Sequence, residues 1–347
     1  MNIRKYMLTR KVQKTGKSTL IISLPKPWTK KVGINVGDSI GLLPVSNGRI
    51  ILHPIKNKNK SKIETSYKIE DESGDFNSIK RKIIGSYLIG FDTIEVYLSG
   101  KNSKDIKNRI RDLRRSMIGL EVIEEDEDYL KIKDYLDSSV FSMKKGIKRM
   151  YSISTTMFLN AIKSLSNIDH ELAEDVISRD DEVDKIYWMI RKQYIKITDD
   201  VYFAEEIETT PRHAVGYLLA AKCFERIADH GVKIASNVEK MENKPEFLDD
   251  LDKLKEDVID IIDYSFKSLH RENLEYANKA LNKSKKVEKR IKSLKETIIN
   301  TDIKNRPMIS LAYIVDSIYR ILSYSEDIAE NSIDHNISLN YEISSDL

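Results

Sequence analysis

An internal repeat in the second half of the chain most constrains its fold. Residues 226–237 (Arg-Ile-Ala-Asp-His-Gly-Val-Lys-Ile-Ala-Ser-Asn) align with residues 320–331 (Arg-Ile-Leu-Ser-Tyr-Ser-Glu-Asp-Ile-Ala-Glu-Asn). Upstream, residues 182–185 (Glu-Val-Asp-Lys) align with residues 286–289 (Lys-Val-Glu-Lys). Because tyrosine, isoleucine and leucine recur around these segments at three- and four-residue spacing, the repeated unit is expected to be helical. The repeat predicts two three-helix units stacked side by side.

The helical pattern begins at about residue 138 and contains few glycines. Pro211 and Pro307 lie where new helices are expected to start, because proline is tolerated in the first turn of a helix. The predicted helices span residues 138–167, 169–200, 211–240, 245–270, 272–299 and 307–335.

Two smaller domains are predicted before the helices. Residues 1–56 have short alternating apolar segments separated by glycine turns, which is typical of a β-rich module. Residues 66–134 alternate between strand-like and helical spacing, in the order β-α-β-α-β-β. Spacing or dimerisation is the plainest role for this middle domain. The predicted fold class is a multidomain protein with an N-terminal β module (1–56), a small α/β domain (66–134) and an all-α domain (138–335).

Positive charge is concentrated at the N-terminus. The first sixty residues contain thirteen lysines and arginines and one acid, Asp38, for a net charge of +12. The whole chain carries +3, so residues 61–347 carry +3 minus +12, which is −9. This segregation indicates that the N-terminal module binds a polyanion, although a solvated lysine-rich surface is the alternative. The candidate phosphate contacts are Arg4, Arg10, Lys11, Lys14, Lys17, Lys26, Lys30 and Lys31.

Other classes of protein are disfavoured by composition. The single cysteine, Cys223, excludes a disulfide framework and a cysteine-rich zinc site. No apolar run approaches the ~20 residues of a membrane span, and the N-terminus has charges where a signal peptide needs apolar residues. A cytoplasmic protein without membrane insertion is expected. No nucleophile-and-base constellation can be assembled, so the protein is predicted not to be an enzyme.

The N-terminal module resembles the AbrB/SpoVT family of swapped-hairpin DNA-binding domains. The resemblance lies in residues 10–28 (Arg-Lys-Val-Gln-Lys-Thr-Gly-Lys-Ser-Thr-Leu-Ile-Ile-Ser-Leu-Pro-Lys-Pro-Trp) and 32–38 (Val-Gly-Ile-Asn-Val-Gly-Asp). It implies a homodimer, or a higher even oligomer, with interleaved hairpins that contact double-stranded DNA through paired basic loops. One copy of this length is also too short to bury an adequate core alone. An antitoxin role, common for such modules, fits poorly with a long helical domain.

Two pairs of acids have helical spacing in the predicted bundle. Asp180 and Asp184 are four residues apart, as are Glu225 and Asp229, so each pair occupies one helix face. If both faces point inward on neighbouring helices, the four carboxylates converge and require a hard or borderline metal cation. His230 could add a nitrogen ligand. Solvated acidic pairs, common in a chain this charged, are the alternative.

The same segments resemble the PhoU family. Residues 180–184 (Asp-Asp-Glu-Val-Asp) and 224–235 (Phe-Glu-Arg-Ile-Ala-Asp-His-Gly-Val-Lys-Ile-Ala) match its two characteristic motifs, and the likeness covers about residues 140–335. It implies a duplicated three-helix bundle, a role in phosphate uptake and signalling, and a divalent or iron-type metal on these acids. Arg226 and Arg320 are expected to be structural residues that pair across the helices and not phosphate ligands. In the second repeat the acids are replaced by Ser284, Glu288, Tyr319 and Ser323, so a single metal site is expected.

Together these features predict a DNA-binding transcriptional regulator of phosphate uptake and homeostasis. The PhoU-like bundle would be its metal-responsive or partner-responsive input, and the combination is typical of archaea. The first alternative is an adaptor that does not bind DNA and regulates a phosphate transporter or a sensor kinase. A carboxylate-bridged metalloenzyme is a second alternative, but no substrate pocket or catalytic base can be named for it.

Overall fold

Strands come first, a mixed segment follows, and helices fill the rest of the chain in the computed structural model. Residues 1–63 together with 342–347 form one compact unit, and residues 64–341 form the other. The structure describes residues 8–45, 49–55, 64–71, 74–99, 102–241, 244, 248–300 and 306–345.

The first unit contains two antiparallel hairpins and one short helix. Its elements are β1 (Gln13–Thr15), β2 (Thr19–Ile21), α1 (Lys26–Val32), β3 (Ile40–Val45) and β4 (Arg49–Pro54). The turn between β1 and β2 places Gly16 at a φ of 61°, in the left-handed region that glycine tolerates best. Helix α1 ends at Gly33, which adopts the same conformation at the C-cap. The predicted β-rich module is therefore confirmed.

The α/β domain has the predicted β-α-β-α-β-β order. Its elements are β5 (Ser66–Asp71), α2 (Phe76–Ile89), β6 (Thr93–Leu98), α3 (Ser103–Arg115), β7 (Leu120–Asp126) and β8 (Tyr129–Asp134). The strand order is β5-β6-β8-β7, with β5 and β6 parallel and the other pairs antiparallel. Helix α2 makes the crossover that two parallel strands need. Buried isoleucines such as Ile79, Ile83 and Ile94 form the core.

The remainder of the chain is helical, as predicted. Its elements are α4 (Met143–Asn167), α5 (His170–Ser178), α6 (Asp180–Asp199), α7 (Val201–Glu206), α8 (Pro211–Val238), α9 (Leu248–His270), α10 (Leu274–Asn300) and α11 (Arg306–Ser345). One continuous apolar core includes residues from both repeats. Within the described ranges, no helix is both long and apolar enough to cross a bilayer.

Several helix boundaries differ from the prediction. The first helix starts at Met143 instead of 138, because the Ser142 side chain accepts a hydrogen bond from the Lys145 amide and caps it. The helix predicted over 169–200 is interrupted at Arg179 and continues as α6. A short helix, α7, follows α6, and α11 extends to Ser345. The three domain boundaries stay a prediction, because the α/β domain and the helices lie in one compact unit.

Helix α6 joins the α/β domain to the helical bundle. Trp188 packs against the cores of both. Lys192 forms an ion pair with Asp134 at the end of β8, and both side chains are only 6% exposed. The Lys192 ammonium also lies 4.4 Å from the centre of the Tyr87 ring, a cation–π contact. Gln193 donates to the backbone carbonyl of Ser138 at 2.7 Å, which holds the connection between the domains against α6.

We expect Lys192→Met to destabilise the protein by about 3–5 kcal/mol, because the Asp134 carboxylate is left buried without its cation. In a Trp28→Phe background, Trp188 is the only tryptophan. Trp188 fluorescence during urea unfolding therefore reports the free energy of unfolding of the part of the protein that contains this ion pair.

The double variant Lys192→Met/Asp134→Asn is the control, because neither buried charge remains. We expect its destabilisation to be smaller than the sum of the two single variants. Effects that add, or a destabilisation by Lys192→Met below ~1 kcal/mol, would contradict a coupled buried pair.

Candidate functional site

The described candidate cations of the first unit lie on or just before its first hairpin and on α1. Arg10 and Lys11 precede β1, Lys14 lies within it, and Lys17 lies in the turn that follows. The remaining candidates, Lys26, Lys30 and Lys31, lie on α1. Arg4 lies outside the described residues.

Three of these lysines have no ionic partner in the part of the first unit that the structure describes. Asp38 accepts a hydrogen bond from the Asn35 amide at 2.7 Å and so closes a local turn. Within the described ranges, Lys11, Lys14 and Lys17 form no ion pair. Their charge is therefore available to an external anion.

The described part of the first unit also has no core of its own. Among its described side chains between residues 8 and 55, none is buried. Leu20, Leu42 and Ile50 are 68%, 64% and 61% exposed. Apolar side chains this exposed on consecutive strands are typical of a surface that pairs with another chain.

The interruption at Arg179 places three acids at the start of α6. Asp180, Asp181 and Glu182 form its first turn, where the positive end of the helix dipole favours carboxylates. The Glu182 amide donates to the Arg179 carbonyl at 3.0 Å, which makes a tight turn between α5 and α6. The sequence therefore restarts the helix at the residue that begins the predicted acidic site.

The four predicted carboxylates influence one another electrostatically on the facing helices α6 and α8. Burial, reinforced by Asp229, Asp181 and Glu225, raises the pKa of Asp180 to about 6. Burial, reinforced by Asp180, Glu225 and Asp229, raises the pKa of Asp184 to about 7. Burial and Glu225 also raise the pKa of Asp229. The cluster therefore changes its charge near neutral pH.

Two cations of α8 lie beside this cluster. Lys222 donates to both carboxylate oxygens of Glu225, at 2.8 and 2.7 Å. Arg226 lies 3.6 Å from Glu225 and 3.8 Å from Asp229. Arg226 therefore pairs within its own helix, and the expectation that it pairs across helices was wrong. The sequence signal for Lys222 as a neighbour of the cluster is its (i, i+3) spacing from Glu225.

The four carboxylates are chemically suited to a hard cation, but the structure does not arrange them as a metal site. Carboxylate oxygens with raised pKa values suit such a cation, since a positive charge relieves their mutual repulsion. In the part of the chain that the structure describes, however, no three histidine, cysteine, aspartate or glutamate side chains are gathered as metal ligands. Glu225 would have to turn away from Lys222 to bind a metal. The metal at Asp180, Asp184, Glu225 and Asp229 stays a prediction.

His230 does not join the carboxylates. Its ring packs 5.9 Å from the ring of Tyr324 on α11, and burial lowers its pKa to about 4. In the second repeat, Ser284 donates a hydrogen bond to Glu326, and Glu288 pairs with Lys292 at 2.8 Å. The second repeat therefore uses the equivalent positions for internal bonds.

The helices form a duplicated bundle, and the charge distribution makes the N-terminal module basic. The family model "PhoU domain" matches the bundle twice, over residues 147–238 and 251–332. The chain therefore belongs to the PhoU domain family. A second family model, "Antidote-toxin recognition MazE, bacterial antitoxin", matches residues 13–60. Both families are regulatory: the first indicates regulation of phosphate homeostasis, and the second is compatible with DNA binding.

One solved structure that the chain matches is the phosphate transport system regulatory protein PhoU from Streptococcus pneumoniae. The two chains are 14% identical with a TM-score of 0.49, and the match covers 56% of this chain and 94% of that one. No curated protein sequence matches this chain.

The raised pKa of Asp184 predicts a pH-dependent stability. The Asp184 carboxyl group binds its proton more tightly in the folded state than in the unfolded state. Its contribution to the free energy of unfolding is therefore fully present below about pH 4 and is lost as the pH rises through about 7. Asp184→Asn removes that dependence. In chelator-treated buffer at pH 8 we expect the variant to be more stable than the wild type by about 1–2 kcal/mol, a figure reduced for solvent screening, with little difference at pH 4.

Glu288→Gln is the matched control, because Glu288 occupies the equivalent position in the second repeat and its partner Lys292 lowers its pKa. It should bring no gain in stability at pH 8. Thermal unfolding at both pH values measures the effect, and an equal gain in both variants would contradict a strained carboxylate cluster.

Proposed function

We propose that the protein is a DNA-binding transcriptional regulator of phosphate uptake and homeostasis. The observation that carries the proposal is the basic N-terminal module, whose hairpin lysines are unpaired within the described residues and whose family match is compatible with DNA binding. The module is joined in one chain to a PhoU bundle, which points to phosphate homeostasis as the regulated process. A DNA target implies that the protein acts in the cytoplasm.

Pairing of two N-terminal modules is part of the proposal. A module without buried side chains in its described residues gains its core from a second copy, and the exposed Leu20, Leu42 and Ile50 supply the apolar surface. Two basic hairpins on one dimer contact more phosphates than one hairpin does. Sedimentation of the full chain should show a dimer or a higher even oligomer, and a monomer that still binds DNA would contradict this part.

The PhoU bundle is the proposed input. Its carboxylate cluster responds to a bound cation because Asp180 and Asp184 carry strained negative charges near neutral pH. The alternative input signal is a transporter or signalling protein that binds to the bundle in place of a metal cation.

Neutralising three cations of the first hairpin should weaken DNA binding. We expect the variant Arg10→Gln/Lys11→Gln/Lys17→Gln to bind duplex DNA less tightly and with a shallower salt dependence. The slope of log K against log salt should fall by about 0.9 for each phosphate that the variant no longer neutralises. Fluorescence anisotropy of a labelled duplex, titrated at several salt concentrations, measures both quantities.

A matched control makes the same change of charge elsewhere. Lys285, Lys286 and Lys289 lie on α10, and replacing all three by glutamine should leave DNA binding unchanged. If both triple variants bind equally weakly, total charge and not the hairpin drives binding. If the wild type forms no complex at moderate ionic strength, the protein is an adaptor that does not bind DNA.

Manganese tests the proposed metal input, since it is a divalent cation that carboxylates bind well. At pH 8 we expect it to raise the melting temperature of the wild type, because a ligand of the folded state stabilises that state. The shift should disappear in Asp184→Asn/Glu225→Gln and persist in Glu288→Gln. A shift of equal size in all three proteins, or in none, would contradict a metal at this cluster.

A further inference from the structure

A cavity of about 520 Å³ lies where the α/β domain, the connection after β8 and helices α4 and α6 meet. Ligand pockets typically have volumes of about 300–1,000 Å³ and often occur between domains. The apolar walls of this cavity are formed by Ile118, Leu136, Val140, Phe141, Ile186 and Met189.

Two cations line the cavity beside these apolar walls. Arg149 is on α4 and Lys185 is on α6. Neither side chain has a hydrogen bond or an ion pair to any other residue that the structure describes. An apolar cavity flanked by two unpaired cations favours a ligand with a negative head and an apolar body.

The two carboxylates of the lining already have partners. Asp137 accepts hydrogen bonds from the amide and the hydroxyl of Ser139, at 3.0 and 2.8 Å. Glu182 lies 3.4 Å from the Arg179 guanidinium. Ser139 does not neutralise Asp137, but Glu182 is paired with Arg179. Arg149 and Lys185 therefore outnumber the remaining carboxylate, and the lining keeps a net charge of +1.

Two other clefts lined by described residues lack this combination of cations and apolar walls. In the cleft beside α3, Lys107 and Arg111 both pair with Glu125. In the cleft between α9 and α10, Lys283 and Arg290 pair with an aspartate of α9. Lys104 in the first cleft, and Lys279 and Lys286 in the second, have no ion pair within the described ranges. The first cleft has no apolar side chain in its lining and the second has only Tyr264 and Val287, so neither offers apolar walls to the body of a ligand.

We propose that the cavity between the α/β domain and the bundle binds a small organic anion. The ligand has an apolar or aromatic body, which fills the space between Ile118, Phe141 and Met189, and one acidic head group, which Arg149 and Lys185 bind. The head group is a phosphate or a carboxylate, since both accept charge-assisted hydrogen bonds from these side chains.

Such a ligand would contact both parts of the second unit. Ile118 belongs to the α/β domain, whereas Arg149 and Lys185 belong to the bundle. Glu182, which lines the cavity, is two residues from Asp184, or about 200° around α6, so the cavity and the carboxylate cluster use opposite faces of one helix. The inference gives the α/β domain a role in sensing and does not depend on DNA binding.

Anilinonaphthalene sulfonate, a fluorescent apolar anion, is a suitable probe for the full chain. We expect saturable binding that the double variant Arg149→Gln/Lys185→Gln weakens by at least about tenfold, because it removes two charge-assisted hydrogen bonds. Val140→Trp should weaken it as well. Val140 is 78% exposed at the cavity, so a larger side chain there narrows the cavity without crowding the core.

Lys163→Gln is the control for charge, since Lys163 is exposed on the same helix as Arg149 and about 21 Å further along it. It should bind the probe like the wild type. Melting temperatures close to that of the wild type show that the variants are folded. Probe binding that is absent, or unchanged in both the double variant and Val140→Trp, would overturn the proposal.

Competition identifies the head group. Octyl phosphate and octanoate should each displace the probe at lower concentration than octanol, and the stronger of the two identifies the preferred head. Displacement by octanol at the same concentration would show that no anion is recognised and would overturn the proposal. If inorganic phosphate displaced the probe as well as octyl phosphate did, the site would recognise only an anion and not an apolar body. That result would also overturn the proposal.

Discussion

The ion pair between Lys192 and Asp134 is the contact that relates the parts of the second unit to one another. Both charges are buried, so a substitution that removes one of them leaves the other without a partner and costs several kcal/mol, about 3–5. The Tyr87 ring lies against the same ammonium, and Trp188 packs against both cores one turn earlier on α6. These contacts hold helix α6 against the α/β domain, while its other buried side chains pack in the core of the bundle.

Helix α6 also carries the acidic cluster at its start. The helix dipole favours carboxylates there, but burial and mutual repulsion have the larger effect and raise the pKa of Asp180 and Asp184. Lys222 and Arg226 offset part of this repulsion on α8. The result is a cluster whose charge is sensitive to protons and cations near neutral pH, on the helix that is fixed to the α/β domain.

The duplication preserved the packing of the bundle but not its acidic chemistry. Apolar positions recur in both repeats and contribute to one core. At the positions equivalent to Asp180 and Glu225, the second repeat has Ser284 and Tyr319, and both form hydrogen bonds to carboxylates within that repeat. Of the four positions that carry acids in the first repeat, the second repeat keeps a carboxylate only at Glu288. This asymmetry places the proposed input on α6 and α8.

Local spacing in the sequence predicted most of the long helices of the bundle and the order of strands and helices along the α/β domain. It also predicted the start of α8 at Pro211 and the segregation of charge, but it did not reveal α7 or the break at Arg179. Four-residue spacing also identified the acids that influence one another on facing helices. Tertiary structure decided the rest. Lys192 and Asp134 are distant in the chain, and no periodicity marks them as partners. The cavity beside Lys185 exists only because separate segments meet there, and the interruption at Arg179 orients the acids that follow it. These features depend on which distant side chains come into contact, and local patterns carry no information about that.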